Sequence, residues 1–355
     1  MKIRYAFLSV FGLIAMAGSN QASGYTFTAV EFPGAFETVV NGVSGSTVIG
    51  YYINYDESGT HGFIYDGSTF KTVDCPWGGY NSLTGVSGGT VVGNYYGDNI
   101  STNLDVAYRS FIYNGSTFTK LDVPGSLQTR ALGISGGTIV GRYEDRASVG
   151  HSFIYNGSTF TTLAFPGASS TELLSISGGT VAGTYSITNP PYFHPFTYDG
   201  STFTTLDVPD WSALPSPTIT GISGGTMAGY YQPGPGIVFR GFVYDGSALT
   251  TLDFPGSSLT ALLGVSGNTV FGTTYLYGQG FVAQLQVPGL QISLTTSNSL
   301  VISWPYPSTG WNLQQNSDLA STSWVTPSKT IANDGTNDFI IVNTRSGNLF
   351  FRLKH

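Results

Sequence analysis

The chain has 355 residues, 13 basic and 20 acidic side chains, and a formal net charge of −7. Charged residues make up only 9%, against about 25% in ordinary soluble domains, so solubility must rest on Ser, Thr, Asn and Gly. This balance excludes nucleic acid as a partner, which would need a basic stripe facing phosphate, and a lone cysteine excludes an intramolecular disulfide.

In chain order, residues 1–24 predict an export leader. Lys2 and Arg4 supply the charged start, Ala6 to Gly18 the apolar stretch, and Ala15-Met16-Ala17 or Gln21-Ala22-Ser23 the small residues for cleavage. The apolar stretch is shorter than the roughly 20 residues that span a bilayer, and no later stretch is long and apolar enough. Cleavage would remove Lys2 and Arg4 and shift the net charge of −7 to about −9. The expected location is extracellular or at the cell surface.

From Tyr25 the chain repeats. A Gly-[Val/Ile]-Ser-Gly element recurs at Gly42, Gly85, Gly133, Ser175 (Ser for Gly), Gly221 and Gly264, in steps of 42 to 48 residues. The first five are each followed by an Asp-Gly or Asn-Gly turn (Asp66, Asn114, Asn156, Asp199 and Asp245) and a "STFTTLDVPG" variant. Gly-Gly and Asn-Gly or Asp-Gly form tight turns because Gly and Asn tolerate positive φ. Each unit therefore predicts four strands, and a period near 40–45 residues with four strands is the signature of a propeller blade. "YTFTAVEFPG" (Tyr25 to Gly34) matches a fourth strand with no preceding three, while the sixth unit ends after its third. The N-terminal strand should therefore complete the last of six blades and remove a free sheet edge. A Gly in each second strand (Gly50, Gly93, Gly141, Gly183, Gly229, Gly272) is expected to allow close approach between blades.

The segments "HGFIYDG" at His61, "HSFIYNG" at His151 and "HPFTYDG" at His194 resemble the HAF repeats of exported bacterial proteins, named for a His-Ala-Phe that opens one strand. Arg109, Arg240 and Gln279 replace the His in other units, and Ser-Gly stands where that family often has Asn-x-Gly. The resemblance covers roughly Tyr25 to Gly289. It implies an extracellular repeat protein and carries no catalytic residues to transfer.

After Gly289 the repeat stops. Short alternating runs, among them "SLVISWPYP" and "NDFIIVNT", predict a small β-sandwich over 290–355. This stretch resembles C-terminal modules of exported proteins from environmental bacteria, in which "SWP" and a final aromatic-Arg-Leu recur. Trp304, Trp311 and Trp324 read as its core. The expected fold is thus all-β, a six-bladed propeller over 25–289 closed by the N-terminal strand and followed by the sandwich.

The residues give little chemistry. His61, His151 and His194 share one repeat position, as do Glu31, Asp74, Asp122, Asp207 and Asp253, with Ala164 breaking the second series. Equivalent residues on separate blades lie too far apart for one metal or one acid dyad. They are expected to satisfy nearby backbone groups, and Cys75, at a position of Val or Phe in sister units, is expected in the core. No catalytic residue, metal site or cofactor is expected. Asn114 and Asn156 fit a glycosylation pattern that their turns already explain.

Binding belongs instead on the longer, variable connections, which all fall on one face of the ring. Glu37, Tyr80, Asn81, Arg130, Glu172 and Trp211 lie there and differ from blade to blade. Tyrosines ending the second strands stand beside that face, and the second of each Tyr-Tyr pair is the expected exposed one. The expected function is a non-catalytic binding or assembly scaffold for a glycan or a surface protein. The alternatives are a propeller glycosidase or lyase acting through Glu37, Arg130 and Glu172, and a purely structural surface component.

Overall fold

The computed structural model describes residues 24–55, 59–97, 107–187, 193–206, 217–234, 238–245, 248–274, 278–286, 288–296, 299–306, 311–320, 322–343 and 348–354. Apart from Gly24, the expected leader lies outside the described residues, as do Trp211 and Asp207.

Six four-stranded sheets form the repeat region. In the third blade the strands are Gln128–Ser135, Thr138–Glu144, Gly150–Tyr155 and Phe160–Thr162, from inner to outer. Each inner strand lies against the inner strand of the next blade, and the sixth lies against the first. The sixth sheet contains Thr260–Ser266, Thr269–Thr274 and Gln279–Leu285, and its outer strand is Tyr25–Val30. The molecule is therefore a six-bladed β-propeller closed by its N-terminal strand.

A Phe in the third strand sits at the same place in every blade. Phe63, Phe111, Phe153, Phe196, Phe242 and Phe281 are all fully buried. Opposite each, in register, is the second-strand Gly: Gly50 faces Phe63 and Gly141 faces Phe153. A Cβ on Gly141 would lie 2.2 Å from the Arg130 carbonyl oxygen and 2.7 Å from the Phe153 ring. These glycines thus make room within their own blade for the ring and the inner-strand backbone, which corrects the expectation that they serve contact between blades. That role falls to the inner-strand Gly: a Cβ on Gly221 would meet Gly264 Cα at 2.9 Å, and one on Gly85 would meet Ile134 N at 3.0 Å.

At or just before that position every inner strand carries a β-bulge, for example between Ala131 and Gly133 and between Leu173 and Ser175. Bulges bend a strand and sharpen its twist, which lets six inner strands converge. The bulged Asn41, Thr84 and Thr220 donate to carbonyls of the following blade, at Leu83, Ala131 and Leu262. One residue past each Gly-[Val/Ile], serines accept the next blade's turn N–H: Ser87 from Gly136, Ser135 from Gly178, and Ser223 from Gly267. The repeated motif lines a central cavity of about 220 Å³. The outer turn is equally explained. Asn156 Oδ1 accepts the N–H groups of Ser158 and Thr159, and Tyr155 donates to the Gly157 carbonyl.

By contact the chain divides into Phe27–Gln284 and a second unit containing Leu285–His355. In the second unit Gln291–Leu294, Ser299–Pro305, Asn337–Asn343 and Ala332–Asn333 form one sheet, and Asn312–Asn316 pairs with Phe350–Lys354. Both sheets feed one core of Ile302, Trp304, Leu313 and Ile340. Trp324, by contrast, is only half-buried, with the Arg352 guanidinium 4.3 Å over its ring.

Candidate binding face

In the first, fifth and sixth blades the repeated position of the His, or of the residue that replaces it, meets the repeated carboxylate position. His61 Nδ1 is 2.7 Å from Asp74 Oδ2, and Asp74 Oδ1 accepts the Gly62 N–H. In the fifth blade Arg240 donates twice to Asp253, which also accepts the Gly241 N–H. In the sixth, Gln279 donates to Glu31. Where Ala164 removes the carboxylate, His151 turns to Asp145 in the neighbouring connection, 3.0 Å away. These side chains tie the third strand to the end of the fourth, and among the described residues no group of three or more His, Cys, Asp or Glu gathers to hold a metal.

The second blade departs from this pattern. Asp122 feels Arg109 but forms no direct ion pair with it, and one carboxylate oxygen is buried without a hydrogen-bond partner. Burial pushes the Asp122 pKa up, against the pull of Arg109. The folded state thus holds that proton more tightly than the unfolded chain. Its stabilisation is complete below the ordinary pKa of 3.8 and is lost as pH rises through the folded value. Asp122→Asn is expected to raise the melting temperature at pH 7, whereas Asp253→Asn, which breaks an ion pair whose two N–H donors converge on one carboxylate oxygen, should lower it. Equal losses in both variants would show that Asp122 is paired after all.

The two faces of the propeller differ in exposed apolar surface. Among the described residues of the ring, every large hydrophobic side chain that is exposed lies on the face of the longer connections. Phe36, Tyr80 and Leu127 open or precede inner strands. Tyr55, Val149, Ile187, Phe193 and Val238 flank the second-to-third connections. Among the described residues, the opposite face carries tight turns built of Gly, Ser, Thr, Asn and Asp.

On the apolar face a row of side chains crosses from the second blade to the fourth. Tyr80 meets Tyr96 with centroids 6.2 Å apart, and Tyr96 meets Tyr108 at 5.1 Å. The Arg130 guanidinium, from the third blade, lies 3.4 Å over the Tyr108 ring. Arg142 stands opposite Arg130 in register, and its Nη1 is 3.9 Å from Glu172 Oε1 of the fourth blade. Tyr80 is 57% exposed and has φ +53°, a strained value for a non-glycine residue. Such strain concentrates at functional positions.

Of the residues singled out from sequence, Tyr80, Arg130 and Glu172 come together in this row. Glu37 lies elsewhere, at the junction of the first and sixth blades, against the backbone of Gly278; burial raises its pKa. Asn81 is buried, its Oδ1 accepting the Cys75 N–H and its amide donating to the Gly78 carbonyl, so it holds the loop that presents Tyr80. Cys75 packs in the second blade's core. The tyrosine expectation needs correction. The buried ring is always two residues past the second-strand Gly, at Tyr52, Tyr95 and Tyr231, where strand alternation turns it inward. That is the second of the pair in "GYY" but the first in "GNYYG", which leaves Tyr96 free to join the row. Sequence reasoning missed Tyr108 and Arg142. Arg142 had one signal: it is the only charged residue directly following a second-strand Gly.

No protein-family model matches the chain, and no curated protein matches it in sequence. Among solved structures it is similar to the β-propeller domain of the Trilobed protease from Pyrococcus furiosus, at 8% identity over 76% of this chain and 90% of that one, with a TM-score of 0.44. It is similar to the fucose-specific lectin from Aleuria aurantia at 14% identity, over 79% of this chain and 96% of that one, with a TM-score of 0.42. It is also similar to the Hadza microbial sialidase Hz136 at 14% identity, over 71% and 66%, with a TM-score of 0.44. The likeness extends no further than general architecture.

Proposed function

We propose that this chain is a non-catalytic binding scaffold that takes a glycan on the face of its longer connections. The observation that carries the reading is the row from Tyr80 to Glu172. It sets three aromatic rings, two guanidinium forks and one carboxylate along a single line on a rigid ring. Sugars need apolar faces to stack on and charged donors and acceptors for their hydroxyls. This row supplies all three, whereas the repeated His, Asp and Ser positions are engaged within and between blades. The proposal includes export through the leader at residues 1–24 and an attachment role for residues 290–355.

Binding of the full chain to a glycan array is the direct test, with Tyr80→Ala and Tyr96→Ala as probes. Both variants should lose at least about tenfold in affinity for any glycan that binds while melting as the parent does, since Tyr80 is exposed and Tyr96 half-buried. Turnover of a bound glycan, or binding unaffected by both substitutions, overturns the reading.

A further inference from the structure

The row contains an electrostatic arrangement that the fold itself does not require. Arg130 and Arg142 are direct cross-strand partners, and like charges placed directly opposite destabilise a sheet. Arg142 has Glu172 within reach. Arg130 has no carboxylate within 4.0 Å among the described residues; its partner is the Tyr108 ring. Glu144, the nearest acidic residue along that sheet face, takes the Gln128 amide. A half-buried guanidinium beside a second one, with no counterion, is an incomplete ion pair. Burial and then the Arg142 charge push the Arg130 pKa down, the response of a cation lacking an anion.

Resting on the glycan reading, we propose that the ligand is an acidic saccharide whose carboxylate docks between Arg130 and Arg142 while its ring lies along Tyr108 and Tyr96. A carboxylate matches the planar fork of Arg, and the stacked Tyr108 ring holds that fork in one orientation. Glu172 then acts on the other side of the balance. It competes for Arg142 and repels the ligand's charge, which sets the affinity and disfavours more than one anionic group at this point.

The test measures binding of the full chain to an alginate oligosaccharide, to a neutral β-glucan oligosaccharide of equal length, and to a sulfated glucan. The expected result is binding of the alginate oligosaccharide at least tenfold tighter than the neutral one. Arg130→Gln should lose at least tenfold in alginate affinity with an unchanged or higher melting temperature, because it relieves a like-charge pair. Glu172→Gln should tighten alginate binding two- to fivefold. Arg142→Gln serves as the second probe should Arg130→Gln fail to fold, and should likewise lose at least tenfold. Preference for the sulfated glucan over alginate overturns the carboxylate assignment. Equal binding of alginate and the neutral glucan, with Glu172→Gln weakening both, overturns the acidic ligand and leaves the glycan reading standing. Binding of no saccharide by the parent chain overturns both.

Discussion

Deleting Tyr25–Val30 is expected to leave a propeller that aggregates and melts at least about 10 °C lower. This strand is the outer strand of the sixth sheet, and without it the edge of Gln279–Leu285 is open to pairing with another chain. Two buried side chains go with it. Phe27 packs edge-on to Phe254, with centroids 5.6 Å apart, and against Phe281 at 5.7 Å; Val30 joins the core at the first blade. Full burial of each side chain stabilises by about 1.5–3 kcal/mol, and roughly 2–4 °C is lost per kcal/mol in a chain of this class. Size-exclusion chromatography with light scattering and a thermal melt would check it. A deletion variant that stays monomeric with unchanged melting would remove ring closure as a source of stability.

Gly141→Ala is expected to cost about 3 kcal/mol or more, an unusually large effect for one methyl group. The added Cβ would sit 2.2 Å from the Arg130 carbonyl oxygen, part of a paired inner strand, and 2.7 Å from the buried Phe153 ring. The ring could be trimmed, but the backbone carbonyl cannot. Phe153→Leu in the Gly141→Ala background should therefore fail to restore stability, whereas Gly150→Ala, with nothing within 4 Å of its new Cβ, should be nearly neutral. The consequence reaches the binding face, because the carbonyl displaced belongs to Arg130. Urea unfolding of the four proteins would decide it, and a Gly141→Ala midpoint equal to the parent's contradicts the account.

The propeller was legible in the chain because its determinants are local and repeated. Turn glycines report positive φ wherever they stand, as at Gly136 and Gly137 (φ +55° and +89°), and a period repeated six times leaves one arrangement that buries every blade. Ring closure followed from counting, since a fourth strand at Tyr25 and a missing one after Leu285 can only complement each other. Less was legible of the side-chain partnerships. His61 and Asp74 belong to series visible in the sequence, yet their pairing depends on the end of the fourth strand folding back beside the start of the third. The shift of His151 to Asp145 is intelligible only after that geometry is known. Second-strand glycines were recognisable as crowded positions, but the sequence does not say whether a ring in the same blade or a backbone in the next one crowds them. The row from Tyr80 to Glu172 was the least accessible of all. Tyr108 and Arg130 come from different blades, 22 positions apart, and neither carries a repeat signal. Periodicity determines which residues face inward within a blade; only the closed ring, by bringing the upper ends of neighbouring blades together, decides which exposed side chains become neighbours.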